Sequence, residues 1–302
     1  MTDLDTLPGL IVSAQSGLFD VETEQGIFVA QLRGKLKETR SISDLAALGD
    51  RVWIRRIDNE QAVIESVLPR TRVLSRQAPH GEHEQVIVAN PDQVFFVIAC
   101  ADPPPNPRML DRLLVAAERE HIPALICANK VDLVDAAFVG DVFGSYERIG
   151  YPVIPTSAKH GQGLPELLER LQDRINVFAG PSGVGKSSLL NAVQPGLGLR
   201  TGAVRQATRK GKHTTVSLHL VKLSGGGYVA DTPGVKAFAL WDIEPEELDA
   251  YFPELRALVP ECDFSDCTHM HEPGCAVLEA LRLGEISAER YDSYRRMRLG
   301  DD

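Results

Sequence analysis

The 302-residue chain contains no long apolar run, and its first ten residues include acidic side chains but no basic ones. A membrane-spanning helix needs roughly 20 apolar residues in succession, and a secretion signal needs a basic start followed by an apolar stretch. We therefore expect a soluble cytoplasmic protein with no membrane partner. Hydrophobic residues make up 43% and charged residues 25% of the chain, which is ordinary for globular domains and excludes a disordered or fibrous protein.

Cysteine is scarce, with five in the chain, and its distribution is uneven. An odd number of cysteines without a secretion signal argues against a disulfide framework. Cys100 and Cys127 each end an apolar run, so we interpret them as small buried residues. The other three, Cys262, Cys267 and Cys275, fall within fourteen residues and require a different explanation.

Basic residues are fewer than acidic ones: the chain has 32 Lys and Arg and 42 Asp and Glu, which gives a net charge of −10. That total by itself argues against a nucleic-acid partner, since phosphate binding needs basic residues. The acidic excess lies entirely in residues 240–302, which hold 16 acidic and 6 basic residues, whereas residues 1–239 hold 26 of each. Residues 33–76 and 200–215 are locally basic. These two stretches permit RNA binding, with a solvated basic face as the alternative.

Three successive patterns along the chain predict a multidomain α/β protein. Residues 10–70 contain about five short alternating segments separated by turn-forming residues. This is typical of a small β-barrel, most commonly an OB-fold, although another small β-domain would give the same pattern. From residue 86 apolar strands alternate with amphipathic helices, as in a mostly parallel sheet covered on both faces, and helical patterns dominate from residue 240. The predicted domains are residues 1–75, 76–239 and 240–302.

A phosphate-binding loop stands between a predicted strand and a predicted helix. Glycines in this pattern let backbone N–H groups turn inward and hold phosphate oxygens at a helix N-terminus. Lys186 would reach the β- and γ-phosphates, and Ser187 would ligate Mg²⁺. The loop and the residues that follow it are Gly180, Pro181, Ser182, Gly183, Val184, Gly185, Lys186, Ser187 and Ser188.

Two short motifs after predicted strands select the base. The first runs from Asn129 through Lys130 to Asp132. The carboxylate of Asp132 can accept hydrogen bonds from N1–H and the exocyclic amine of guanine, a pair of donors that adenine lacks, while Asn129 would brace the loop and the Lys130 stem would cover the ring. The second motif, whose central N–H would donate to guanine O6, consists of Ser157, Ala158 and Lys159. Beside a phosphate loop, both motifs predict GTP and GDP as ligands.

The phosphate side of the site is completed by two further segments. Asp231 would hold Mg²⁺ through water, and the N–H of Gly234 would contact the γ-phosphate. Thr214 or Thr215, in the basic stretch, would ligate Mg²⁺ only while the γ-phosphate is present, which makes that loop a switch. We take Thr215 as a magnesium ligand with Ser187 and Asp231, although the pattern leaves Thr214 open.

The order of these motifs is circularly permuted. An ordinary GTPase runs from the phosphate loop through the switch threonine and Asp-x-x-Gly to the guanine motifs, whereas here the guanine motifs come first. The sheet keeps its packing if the natural ends are joined and the chain is cut elsewhere. The switch region then leads almost directly into the cysteine-rich C-terminal region.

The cysteine cluster also contains a histidine. Cys262, Cys267, His269 and Cys275 provide three thiolates and an imidazole. This is the donor set of a closed structural Zn²⁺ site, which would stabilise a segment whose apolar core is thin. Four protein donors leave no open position for catalysis, and His271 is a competing imidazole.

The permuted motif order together with this Cys/His cluster resembles the RsgA family of circularly permuted GTPases over nearly the whole chain. The resemblance implies an OB-like N-terminal β-barrel, a central permuted P-loop GTPase domain and a C-terminal helical zinc-binding domain. It also implies a GTPase that matures the 30S ribosomal subunit, binds 16S rRNA near the decoding region and hydrolyses GTP faster on the subunit. The family assigns zinc to the same four positions.

Hydrolysis needs a positioned water. Many GTPases orient it with a glutamine directly after Asp-x-x-Gly, but Val235 occupies that position here and cannot hydrogen-bond to water. His213 is the candidate for this role, and the family resemblance points to the same histidine. The alternative is a histidine that shapes the loop or contacts RNA. The predicted catalytic residues are His213, Lys186, Thr214 and Thr215.

The predicted barrel and its basic residues indicate an RNA contact. Aromatic residues are only 6% of the chain, and at least one in the barrel should be core, so we expect shape and phosphate contacts rather than base stacking. The basic residues are Arg33, Lys35, Lys37 and Arg40. Two rival functions remain, a nucleic-acid-binding regulatory module with a vestigial nucleotide site and a P-loop kinase. The intact nucleotide motifs oppose the first and the guanine motif opposes the second. We expect a monomer.

Overall fold

The N-terminal region folds into a closed barrel. The structure is a computed structural model that describes residues 6–34, 45–77, 84–197, 218–231 and 243–301. Strand β1 pairs antiparallel with β2 and β4, β2 with β3 and β4 with β5, while β3 runs parallel to β5 and closes the ring. The strands are β1 (Thr6–Gln15), β2 (Leu18–Thr23), β3 (Gly26–Leu32), β4 (Arg51–Arg56) and β5 (Gln61–Val67). The predicted five-stranded barrel is confirmed.

The barrel closes around an apolar interior because side chains alternate along each strand. In β3 and β4, buried and exposed residues follow one another with a period of two. Ile11, Val21, Ile54 and Ile64 are fully buried inside the barrel. Two of its three aromatic residues also belong to this interior, whereas Trp53 is 41% exposed.

The central region contains a six-stranded sheet in the order β10-β9-β8-β11-β13-β12. Its strands are parallel except β12, which pairs antiparallel with β13. The strands are β8 (Gln93–Ala99), β9 (Ala124–Asn129), β10 (Val153–Thr156), β11 (Ile175–Ala179), β12 (Leu218–Lys222) and β13 (Tyr228–Asp231). Before them, β6 (Val73–Gln77) and β7 (Glu84–Ala89) form a separate antiparallel hairpin, which spans the predicted domain boundary between residues 75 and 76.

Helices cover both faces of this sheet. The helices are α1 (Pro107–Arg119), α2 (Phe138–Arg148), α3 (Leu164–Leu171) and α4 (Lys186–Val193), with a 3₁₀ turn at Val131–Leu133. Every residue of β8 is buried, as expected for a parallel strand enclosed on two sides. Leu114 and Phe143 pack on one face, and Leu167 and Leu189 pack on the other. None of the helices in the described ranges is long and apolar enough to cross a membrane.

The barrel and the central sheet share a strand. Ser13 and Ala14 of β1 pair antiparallel with His219 and Leu218 of β12. The two structures therefore form one continuous sheet of eleven strands. Backbone pairing of this kind holds the barrel on the strand that follows the basic stretch in sequence.

The C-terminal region is helical and packs against α1. Val115 of α1 lies in the same apolar cluster as Leu248, Phe252 and Tyr294. Two short 3₁₀ segments and three helices make up this region. They are 3₁₀ segments Pro245–Tyr251 and Val259–Glu261, and helices α5 (Pro253–Arg256), α6 (Ala276–Leu283) and α7 (Ala288–Leu299).

A buried ion-pair network joins α7 to α1. Arg290 is 2% exposed and donates to Asp111 Oδ1 of α1 at 2.7 Å. It also donates to both carboxylate oxygens of Glu254 at 2.7 and 3.1 Å, and its guanidinium lies 4.5 Å from the centre of the Phe252 ring. Tyr146 OH donates to the same oxygen of Asp111 at 2.8 Å. Nearly every charged atom in this cluster has a partner, as burial of charge requires.

Replacement of Arg290 by alanine is expected to lower the free energy of unfolding by about 3–5 kcal/mol, because it leaves two buried carboxylates without their cation. Urea denaturation with tryptophan fluorescence and circular dichroism measures this loss.

Arg282→Ala is the matched control. Arg282 and Glu279 form an ion pair on the surface of α6 in which both side chains are more than half exposed. Solvent screens such a pair, so the control should unfold like the wild type. Equal effects of the two substitutions would contradict the role given to the buried network.

Candidate nucleotide site and metal centre

The predicted nucleotide motifs meet at one edge of the central sheet. The phosphate loop follows β11, and the Ser157 motif follows β10. Asn129, the first residue of its motif, is the last residue of β9, and Asp231 is the last residue of β13. These are the carboxyl ends of parallel strands, where α/β sheets bind ligands. Motifs that are far apart in the chain are therefore brought to a single cleft.

Glycines shape the phosphate loop. Gly180 has φ +146°, and a Cβ there would lie 2.2 Å from the carbonyl oxygen of Val97. Gly185 is left-handed at φ +97°, caps the start of α4, and leaves room for Asn129, whose Nδ2 would lie 2.5 Å from an added Cβ. The loop therefore needs glycine at both positions, and it delivers the N-terminal N–H groups of α4 to the cleft.

Lys186 is folded over the loop that precedes it. Its Nζ donates to the carbonyl oxygens of Gly180 at 2.8 Å and Pro181 at 2.7 Å. Burial lowers the pKa of Lys186, because the surroundings disfavour the charged form. An anionic phosphate beside this ammonium would stabilise its charged form and so oppose the lowering of the pKa. Ser187 is half-buried beside it and Ser188 is exposed.

Asn129 connects three motifs. Its side chain is buried, and Nδ2 donates to the carbonyl oxygen of Val184 in the phosphate loop at 2.8 Å. Thr156, the last residue of β10, donates to Asn129 Oδ1 at 3.2 Å. Both ends of the amide are therefore occupied by protein, which gives Asn129 the bracing position expected from the sequence.

Asp132 is held by a contact with the Ser157 motif. Ser157 Oγ donates to Asp132 Oδ1 at 2.6 Å, and His160 Nε2 lies 3.8 Å from Oδ2. Chiefly through the Ser157 hydrogen bond, the pKa of Asp132 is lowered, so the carboxylate is ionised and can accept hydrogen bonds. Lys130 has a left-handed backbone, and its Nζ donates to the carbonyl oxygen of Asp102.

Several predicted site residues lie outside the described ranges. They include the candidate catalytic and γ-phosphate residues of the switch segments and most of the basic residues expected in the barrel loop. They are His213, Thr214, Thr215, Gly234, Val235, Lys35, Lys37 and Arg40. Their predicted roles stay predictions.

The cysteine cluster forms a compact donor set. One donor atom from each of Cys262, Cys267, His269 and Cys275 lies within 4.8 Å of the others. Nδ1 of His269 is 3.4 Å from Cys275 Sγ and 3.7 Å from Cys262 Sγ. Burial raises the pKa of the Cys267 thiol to about 12, and a bound cation would oppose this by stabilising the thiolates. Three sulfurs and one imidazole nitrogen fit tetrahedral Zn²⁺.

Two tyrosines and an aspartate hold this histidine in place. Its Nε2 lies 3.2 Å from Asp249 Oδ2, which directs Nδ1 towards the sulfurs. Tyr291 OH donates to the carbonyl oxygen of His269 at 2.7 Å, and Tyr294 OH donates to that of Thr268 at 2.9 Å. His271 is exposed and is not among the grouped donors.

The sequence patterns did not predict the contacts made by Asp249 and Asp102. Asp249 lies twenty residues before the histidine that it supports, and no local spacing links the two. Asp102 contributes only its carbonyl oxygen to Lys130, and a backbone atom leaves no signal in residue type. Both contacts arise from tertiary packing.

Comparison with known proteins agrees with the fold. The family model described as RsgA GTPase matches residues 67–241, and the RsgA N-terminal domain model matches residues 8–64. The chain is 46% identical over 295 residues to a small ribosomal subunit biogenesis GTPase RsgA of Gemmatimonas aurantiaca, with 96% of each protein covered. It is 43% identical over 290 residues to the protein of the same name from Moorella thermoacetica, with 95% of each covered.

Two solved structures share the complete architecture. YjeQ from Thermotoga maritima is 38% identical with a TM-score of 0.80, and the match covers 98% of each chain. YloQ, described as a circularly permuted GTPase, is 31% identical with a TM-score of 0.78, and the match covers 99% of this chain and 96% of YloQ. By its sequence, its permuted motif order and its three-part fold, the chain belongs to the RsgA family of circularly permuted GTPases.

Proposed function

We propose that this GTPase binds the 30S ribosomal subunit in the cytoplasm, assists late maturation of that subunit, and hydrolyses GTP to GDP and phosphate faster when bound to it. The observation that carries the proposal is the convergence of the phosphate loop and the two predicted guanine motifs at one sheet edge, in a chain that matches relatives named for small-subunit biogenesis over nearly its full length. A contact with 16S rRNA follows from the basic stretches at residues 33–76 and 200–215.

The base side of the site would recognise guanine through complementary hydrogen bonds. Asp132 is held ionised by Ser157 and would accept from guanine N1–H and the exocyclic amine. The N–H of Ala158 would donate to O6, and the stem of Lys130 would cover the ring. Adenine presents an acceptor and no amine at the corresponding positions, so the same groups would reject it.

The phosphate side of the site would hold the charge of the substrate. The N–H groups at the start of α4 and the ammonium of Lys186 would bind the β- and γ-phosphates. Ser187, Asp231 and Thr215 would hold Mg²⁺, which neutralises charge on the phosphate oxygens when bound. Ser187 follows the phosphate loop after β11 and Asp231 ends β13, and these two strands are neighbours.

His213 would orient the attacking water, because Val235 cannot. The histidine lies in a stretch with five basic residues and no acidic one, which rRNA phosphates would attract. We infer that the subunit orders this stretch and so brings His213 to the water. Slow hydrolysis by the free protein and fast hydrolysis on the subunit follow.

The C-terminal cluster would bind one structural Zn²⁺ through Cys262, Cys267, His269 and Cys275, and the protein would act as a monomer. Zinc would hold the irregular segment between the 3₁₀ turn Val259–Glu261 and α6. That segment belongs to the same apolar cluster as part of α1, so metal binding supports the docking of the C-terminal region on the GTPase domain.

Subunit-stimulated hydrolysis is expected to depend on His213. His213→Ala should lower the stimulated rate by about a hundredfold or more while the affinity for GDP stays unchanged, since the imidazole is assigned to the attacking water and not to the base. Phosphate release with and without purified 30S subunits measures the rate, and fluorescent GDP measures the affinity. Full stimulation of the variant would rule out a role in catalysis. Absence of GTP hydrolysis by the wild type, with or without subunits, would favour the vestigial-site alternative.

Asp132→Asn is expected to exchange guanine for xanthine selectivity. The asparagine amide presents an NH₂ group to the guanine amine, two donors facing each other, whereas xanthine has a carbonyl at that position. GTP affinity should fall by about a hundredfold, the effect of roughly 3 kcal/mol, and XTP affinity should rise. Competition binding with both nucleotides checks this. Asp135→Asn is the control, because Asp135 is exposed in the same loop, and it should bind GTP like the wild type.

One zinc ion per chain is expected by atomic emission spectrometry. His269→Ala should lose the metal, because Nδ1 of this residue is among the grouped donors and its imidazole is fully buried, whereas His271→Ala should retain it. Loss of zinc from the His271 variant with retention in the His269 variant would reverse the assignment.

A further inference from the structure

The outer face of the barrel carries an apolar groove across β2, β3 and β5. Leu18 pairs with Gln31 by continuation of the β2–β3 register, and Gln31 pairs with Val63 of β5, so these side chains share one face. Asp20, Val29 and Gln61 form the next row. The groove has a volume of about 370 Å³ and is lined by Leu18, Val29, Gln31, Ile57, Glu60, Gln61, Ala62 and Val63.

The groove is rich in exposed aliphatic side chains. Leu18 is 44%, Val29 43% and Ile57 61% exposed. Ile27, two residues before Val29 in β3, is 59% exposed. Single exposed apolar residues are common, but several that converge on one concave surface mark a binding site. The interior of the barrel already has its own apolar core, so these residues do not serve its folding.

The charged side chain among the described residues that line this groove is acidic. Asp20 lies beside Val29, and Glu60 lines the groove itself. Among the described residues, neither carboxylate has an ion-pair partner.

Several cations of the described barrel residues have partners of their own. Arg33 and Arg55 both bind Glu65, Lys222 binds Glu22, and Arg56 donates to the amide oxygens of Gln25 and Asn59. Within the described residues, the carboxylates of Asp20 and Glu60 therefore lie beside the aliphatic surface without an ion-pair partner.

Two features oppose a nucleic acid as the occupant. Free carboxylates repel phosphate, and within the described residues no aromatic side chain lines the groove to stack on a base. An aliphatic side chain fits the apolar floor, a Lys or Arg fits the acidic rim, and the amides of Gln31 and Gln61 can bind a peptide backbone.

We propose that this groove binds a cationic, aliphatic-containing segment of a protein of the small ribosomal subunit. The inference rests on the proposed function, since it names a partner on that subunit. It also assigns different binding partners to different surfaces of the protein. The outer β2–β3–β5 face contacts protein, and the basic side chains within residues 33–76 and 200–215 contact rRNA.

Charge reversal at the rim distinguishes the two classes of partner. Asp20→Lys combined with Glu60→Lys should weaken binding to purified 30S subunits by about tenfold if the occupant is cationic, whereas an rRNA occupant would tighten it. Glu147→Lys combined with Glu169→Lys is the matched control, since both acids are exposed on helices of the GTPase domain and the change in net charge is identical. Pelleting of labelled protein with subunits measures the affinities, and unstimulated GTP hydrolysis reports that each variant is folded.

A crosslinking experiment identifies the occupant directly. A benzophenone amino acid at position 57 should form an adduct with a ribosomal protein that survives ribonuclease digestion and that Val29→Ser diminishes. An adduct with rRNA alone, no adduct, or dimerisation of the free chain through this face would overturn the proposal, as would unchanged or tighter binding of the rim variant relative to its control. If the wild type itself fails to bind 30S subunits, the proposed function fails as well. If the wild type binds 30S subunits but the rim variant binds like its control and position 57 forms no protein adduct, only the groove assignment is wrong.

Discussion

The architecture depends on backbone pairing along one edge of β1. The first half of that edge pairs with β4 and closes the barrel, and Ser13 and Ala14 pair with β12 of the GTPase sheet. A register shift in the β1–β2 pairing between Ile11 and Ser13 lies where the opposite edge of β1 passes from β4 to β12. Strand β12 follows the segment that contains the candidate switch residues. The barrel is therefore connected by hydrogen bonds to the strand that follows that segment.

A second junction uses burial of charge instead of backbone pairing. The Arg290 network connects α7 to α1, and α1 follows directly from the loop that contains Asp102, whose carbonyl oxygen accepts from Lys130. The C-terminal region therefore packs on a helix that begins beside the guanine side of the site. Circular permutation makes this arrangement possible, because it leaves the C-terminal end of the GTPase sheet free to continue into a domain that returns to α1.

Much of this organisation was predictable from local pattern. The alternating segments of the barrel, the buried parallel strands and the motifs that follow them are short-range signals, since side-chain period and turn chemistry act between near neighbours. The separated β6–β7 hairpin and the placement of Asn129 between the phosphate loop and Thr156 were less accessible. They depend on which strands become neighbours, and a single strand pattern does not specify its partners.

The sequence by itself determined the three-part organisation, the permuted order and the residue types predicted to bind guanine, phosphate and zinc, because each is expressed within a few consecutive residues. Tertiary structure decided that Asp249 rather than a nearer residue supports His269, that Arg290 finds its carboxylates on two other elements, and that acids and aliphatic residues of the barrel share one face. These arrangements join residues from separate parts of the chain, and packing alone brings them within hydrogen-bonding or contact distance.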